Sequence, residues 1–129
     1  MADGSSLVAE LLGDLAAEAD ALDAVVAHLE DASWLASTPA EGWTVAHQIA
    51  HLAWTDDQAL LAATDSDAFR RTLAQAGPQL GTLVDDAAAE GAAQDPAQLL
   101  DAGRAAGPSS PRRWRLFPRA RSCPGSVRR

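Results

Sequence analysis

The sequence predicts an all-α protein. Three observations carry the prediction: apolar side chains recur at helical spacing, helix-start residues precede the apolar runs, and no segment alternates apolar with polar residues as a half-buried strand would.

The first helix is read over residues 7–30. Leu7, Val8, Leu11, Leu12, Leu15, Leu22, Val25, Val26 and Leu29 fall along one stripe, Ala19 fills its gap, and Glu10, Asp14, Glu18, Asp20 and Asp23 lie mostly elsewhere. The stripe returns at 8, 15, 22 and 29, a seven-residue pattern suited to near-parallel or antiparallel neighbours in a bundle. The stretch ASWLASTPAEGW reads as a structured connection with at most one helical turn, because Thr38, Pro39 and Glu41 have capping-box spacing before Gly42 breaks the chain. Thr44 then caps a second helix over roughly residues 45–63, a run without Gly or Pro. Val45, Ile49, Leu52 and Leu60 occupy one side of it, and His47, His51, Trp54, Gln58 and Leu61 another, so this helix is expected at the centre of the bundle.

Beyond Thr64, DSDAFRRTLAQA has helical spacing through Phe69 and Leu73. Gly77 and Pro78 interrupt it, and Leu80, Leu83, Val84 and Ala87 resume the period as far as Gly91. Asp95, Pro96, Ala97 and Gln98 make another helix start, followed by Leu99 and Leu100, but Gly103, Gly107 and Pro108 are expected to stop that helix when it has barely begun. The last helix of the bundle is therefore expected to be incomplete.

Composition bounds what such a protein does. The 129 residues make one modest domain, and because 30 of them are Ala the core has few large side chains. A net charge of −8 excludes a wholly basic nucleic-acid binder. No apolar stretch reaches membrane-spanning length and the N-terminus has no signal-peptide pattern, so the expectation is a cytoplasmic protein without membrane association. The lone Cys123 excludes an internal disulfide and a cysteine-based zinc site. Charge is unevenly placed: all 18 acids lie in residues 1–101 with only Arg70 and Arg71 to oppose them, while eight of the ten arginines follow. The boundary divides a helical domain, residues 1–106, from a Pro- and Arg-rich segment, 107–129, with the composition of a disordered tail.

Two histidines are the candidate chemistry. His47 and His51 are four apart, so their imidazoles project about 40° apart on one face and have the spacing to share a divalent ion. The same pair also reads as an exposed helix residue and a hydrogen-bonded one near the core. A zinc-protease motif is excluded, because Gln48 stands where a general-base Glu is required. Asp56 and Asp57 follow but do not share the histidine face. His28, near the end of the first helix, is accounted for by the helix dipole. Trp34, Trp43 and Trp54 read as packing anchors.

The wider string TPAEGWTVAHQIAHLAW resembles the metal-binding region of the DinB-like superfamily, and within it the mycothiol-dependent maleylpyruvate isomerase N-terminal domains of actinobacterial type. The resemblance covers roughly residues 7–102. It implies an up-down-down-up four-helix bundle and a divalent metal, zinc by preference, with His51 as the second-helix ligand and His47 as a nearby histidine that often accompanies it. It also implies mycothiol as a thiol cosubstrate and a small-molecule metabolite as substrate, the metal holding the thiol as thiolate. The downstream Glu-x-x-x-His of the family pattern has no counterpart, since His28, His47 and His51 are all the histidines and no Glu follows Glu90. Enzymatic activity is left open, and the expectation is an incomplete site or a homodimer that completes it. The alternative is a non-catalytic helical module that self-associates through the groove an absent helix leaves.

The basic segment has three readings. Its arginines, with Trp114 and Phe117, offer phosphate and stacking contacts to RNA or DNA, against which the acidic body argues. It has the charge to fold back on that body. Or, in a chain without Lys, Asn or Tyr and so of GC-rich coding, it is the product of a shifted reading frame in a truncated family member.

Overall fold

The computed structural model describes residues 4–110, and residues 111–129 of the basic segment, with Cys123, lie outside the described residues. The elements are α1 (Gly4–Val26), a single turn α2 (Asp31–Trp34), α3 (Val45–Thr64), α4 (Ser66–Ala76), a 3-10 turn (Gly77–Gln79), α5 (Leu80–Ala92) and α6 (Pro96–Ala106). Among the described residues there is no strand, only an isolated bridge between Ser37 and Thr44. The all-α class is the one the periodicity predicts. No helix of these residues is long and apolar enough to cross a membrane.

The hub is α3, against which α4, α5 and α6 all pack. Its sequence explains this, because it buries two sides. Ala46 and Ala50, one turn apart, give a surface so low that α5 approaches backbone to backbone at Gly91, whose missing Cβ would sit 2.6 Å from that of Ala50. On another side Ile49 lies 3.7 Å from where a Cβ on Gly103 would stand, so α6 also comes close. Val26, Trp34, Ala46, Ile49, Ala50 and Leu99 form the core, with Leu29, Val45, Ala92 and Leu100 against it. Trp34 is 3% exposed and Leu99 2%. Burying a side chain the size of Leu99 stabilises the fold by roughly 1.5–3 kcal/mol.

Three expectations are corrected. The last helix is not barely begun: α6 runs eleven residues through Gly103, because that glycine faces α3 and is a packing position, not a stop. Asp95 caps it, its carboxylate accepting from the amide of Ala97 at 3.1 Å. Thr38 does not start a helical turn; its amide donates to the carbonyl of Trp43 at 2.9 Å and its hydroxyl to the same oxygen at 2.9 Å, closing a hairpin-like loop. Gly42, at φ 75°, supplies the left-handed residue this loop needs, and the one helical turn of the connection is α2 instead. Finally, the stripe of α1 is mostly uncovered. Only Val26 at its end is buried, whereas Leu11 is 57% exposed and Leu7, Val8, Leu15, Leu22 and Val25 are exposed with it. The helix is held near its C-terminal end by Val26 in the core and by Arg104 of α6, which grips both carboxylate oxygens of Asp23 at 2.6 and 3.1 Å.

Candidate functional site

The loop and the first two turns of α3 build the site. With Thr38 and Gly42 fixing the turn, Trp43 is brought over the start of α3, and its indole N–H donates to Asp85 of α5 at 3.2 Å. Thr44 is the N-cap. His47, in the third helical position, reaches back so that its Nδ1 accepts from the Thr44 amide at 3.3 Å and lies 2.9 Å from the Thr44 hydroxyl. Gln48 on the neighbouring side donates to Thr38 at 3.2 Å, tying helix to loop.

Four rings follow one another along this face. Trp43 stacks with His47 at 6.3 Å and 27° and meets His51 edge-on at 5.2 Å and 60°; His51 in turn stacks with Trp54 at 6.5 Å and 26°. His51 is half-buried, and its Nδ1 is enclosed without a hydrogen-bond partner. An enclosed polar atom left unpaired costs roughly 1–3 kcal/mol, so the ring has a need that a further ligand atom would meet.

The two imidazoles thus differ chemically. Because the Thr44 amide is a donor, Nδ1 of His47 carries a lone pair and the neutral ring holds its proton on Nε2. Binding a cation at Nε2 would move that proton to Nδ1, against the Thr44 N–H, and break the cap. His51 has no such prior engagement.

The remaining candidates are elsewhere. Asp56 lines a cleft of about 820 Å³ between α1, α3 and α6, and burial first, then the charge of Asp57, pushes its pKa above the ordinary carboxylate value. Asp57 borders a smaller cleft of about 310 Å³ with Gln58 and Leu60. Neither carboxylate joins the histidines, and among the described residues no group of three or more His, Cys, Asp or Glu is arranged to hold a metal ion. His28 follows the last turn of α1, where its charge helps lower the pKa of Asp23, mainly depressed by the hydrogen bond from Arg104. Trp34 is a core anchor. The bonds from Trp43 to Asp85 and from Gln48 to Thr38 had no signal in the sequence, since each joins residues no periodicity relates.

A helical domain whose central helix carries a half-buried imidazole flanked by two indoles is the class that fold and site define. The family model of the mycothiol maleylpyruvate isomerase N-terminal domain matches residues 15–128, and the chain belongs to that family. The match runs through most of the segment that composition set apart. Two uncharacterized proteins of Mycobacterium tuberculosis, from strains CDC 1551 / Oshkosh and ATCC 25618 / H37Rv, are each 52% identical to it over 100 residues, which is 78% of this chain and 37% of theirs. The chain therefore spans little more than a third of the length of these curated relatives. No solved structure matches it significantly.

Proposed function

We propose that this domain binds a divalent metal ion, with zinc the first candidate, and that His51 is its ligand on α3. The observation that carries the reading is the half-buried His51 ring with an unpartnered nitrogen, in the motif whose resemblance implies a metal ligand there. His47 is the structural neighbour that caps α3 and fixes the loop carrying Trp43.

The described residues do not make a complete centre. A catalytic zinc keeps about three protein ligands, and here one uncommitted imidazole is offered with no carboxylate beside it. Completing it would take ligands from a second chain, since outside the described residues this chain offers only Asp3 and Cys123 among His, Cys, Asp and Glu. Family membership supports a role related to mycothiol-dependent isomerisation, in which a bound metal supplies Lewis acidity toward a thiol cosubstrate and a small-molecule metabolite is rearranged. The donor set of this chain supports the binding half of that role only, and no protein nucleophile is present among the ring residues. Equilibrium dialysis of the intact chain against zinc tests the reading: wild type retains metal and His51→Ala does not. Equal retention by both removes His51 from the site.

A second reading, a non-catalytic module that associates through an apolar face, is favoured by the uncovered stripe of α1.

A further inference from the structure

The cleft of about 820 Å³ between α1, α3 and α6 has the size of a small-molecule pocket, for which roughly 300–1,000 Å³ is usual. Leu15 and Leu22 of α1 form one wall, with Ile49 and Leu52 of α3 and Leu100 of α6 facing them. None of the four rings of the histidine face lines it, so it is separate from the metal site proposed above.

The charge on its lining is one-sided. Glu18, Asp20, Asp23 and Asp56 stand against Arg104 alone. Arg104 is committed to Asp23 through two hydrogen bonds, so that pair carries no net charge and three acids remain. Asp20 accepts from the Ser109 hydroxyl at 2.6 Å, and Glu18 is exposed to water. Asp56 is half-buried, and among the described residues no cation pairs with it.

The end of α6 shows what Asp56 faces. The point where a Cβ on Gly107 would stand lies 3.0 Å from the Gly103 carbonyl oxygen, 3.8 Å from Asp56 Oδ2 and 4.0 Å from the Arg104 carbonyl oxygen. The Gly103 carbonyl accepts from the Gly107 amide at 2.9 Å. The Arg104 carbonyl has no such amide one turn on, because residue 108 is proline. A carboxylate is thus set against the carbonyl end of a helix, where the helix dipole favours positive charge. Acceptors crowd acceptors here, and a cationic donor relieves all of them.

These features choose among occupants. An anion would have to displace Asp23 from Arg104 and meet the remaining carboxylates. A neutral apolar molecule would fill the walls and leave the acceptors as they are. A second copy seated through α1 would bring Glu10, Asp14 and Glu18 against acids of the same sign. We propose that this cleft binds an apolar molecule bearing a primary ammonium group, its body against the leucines and Ile49 and its three N–H donors directed to Asp56 and the carbonyl end of α6. Burial and the charge of Asp57 hold the pKa of Asp56 above the ordinary carboxylate value, a cost that an ammonium beside it offsets.

Titration of the intact, nitrogen-15-labelled chain at neutral pH with phenylbutylamine, phenylbutanol and phenylbutyrate tests the assignment, because the three share one body and differ in charge. The amine should shift the amide signals of Leu22, Ala53, Asp56 and Leu100 to saturation and leave Arg70 and Arg71 of α4 unmoved. Asp56→Asn, which keeps the shape of the side chain, should weaken the amine about tenfold, the worth of one charge-assisted hydrogen bond, and leave the alcohol unchanged. Leu22→Ser, at an exposed position of the wall, should weaken amine and alcohol alike. Equal affinity for phenylbutyrate, or an amine affinity that Asp56→Asn does not alter, overturns the proposal. So do shifts that spread to Glu10 and Asp14, which mean general attraction to an acidic surface, and the absence of saturable binding. Movement of the cleft signals on concentrating the free chain also overturns it, because that result gives the cleft to a second copy.

Discussion

Gly91 and Ala50 are the point at which α5 and α3 touch without side chains between them: a Cβ on Gly91 would lie 2.6 Å from the Cβ of Ala50 and 3.5 Å from its Cα. Real Cβ atoms do not approach so closely, and the obstacle is a short, rigid side chain. Gly91→Ala should therefore destabilise the domain by about 1–3 kcal/mol through overpacking, although alanine in a helix interior ordinarily gains up to about 1 kcal/mol over glycine. Gly103→Ala is the control. Its new methyl would meet Ile49 at an ordinary 3.7 Å, so it should be neutral or stabilising. Urea titration of the two variants checks the pair.

Core and surface should separate as sharply. Trp34→Ala removes the largest side chain of the core cluster and should cost about 3–5 kcal/mol, and Leu99→Ala about 2–5. Leu35, next in sequence to Trp34 but 70% exposed, should tolerate Ala within about 0.5 kcal/mol. If Leu35→Ala costs as much as Trp34→Ala, the connection packs differently from the structure.

The two carboxylates that face α6 should respond to pH in opposite senses. The hydrogen bond from Arg104 holds the Asp23 pKa below its ordinary value, so the stability it contributes is present above the ordinary carboxylate range and is lost as pH falls. Burial and the neighbouring Asp57 raise the pKa of Asp56, so its ionisation destabilises the fold as pH rises through and above that range. Thermal melts at neutral pH should show a lower Tm for Asp23→Asn and a higher one for Asp56→Asn. The Asp56 gain should be no more than about 1 kcal/mol, since the side chain is partly solvated. Both differences should shrink in acid. A loss of Tm for Asp56→Asn at neutral pH would contradict the account.

How much of this was legible in the sequence depends on whether the signal was local. The bounds of α3 followed from Thr44 and a run without breakers. The start of α6 followed likewise from Asp95 and Pro96, but its length did not, because a glycine pattern cannot say whether Gly103 stops a helix or lets it pack against Ile49. The seven-residue stripe of α1 was readable as amphipathic, but what covers it depends on which neighbours lie alongside. At the site, helical spacing put His47 and His51 on one face. It could not show that Nδ1 of His47 is taken by Thr44 while that of His51 is left alone, a distinction made by the loop that carries Trp43.

That distinction separates the histidines by experiment. His47→Ala removes the reciprocal half of the Thr44 cap and should cost about 1 kcal/mol, as Thr44→Ala should, with zinc retention unchanged. His51→Ala should leave the cap intact and abolish retention. Chemical denaturation and dialysis on the same three proteins give both readings, and loss of zinc in His47→Ala at full stability would reverse the assignment.

The most direct measurement follows the imidazole nitrogens themselves during a zinc titration of the intact, nitrogen-15-labelled chain. One nitrogen of His51 should move to the shift of a metal-bound imidazole while both nitrogens of His47 stay where the Thr44 cap holds them. Unmoved His51 signals at saturating zinc, or movement of His47 in their place, would contradict the account.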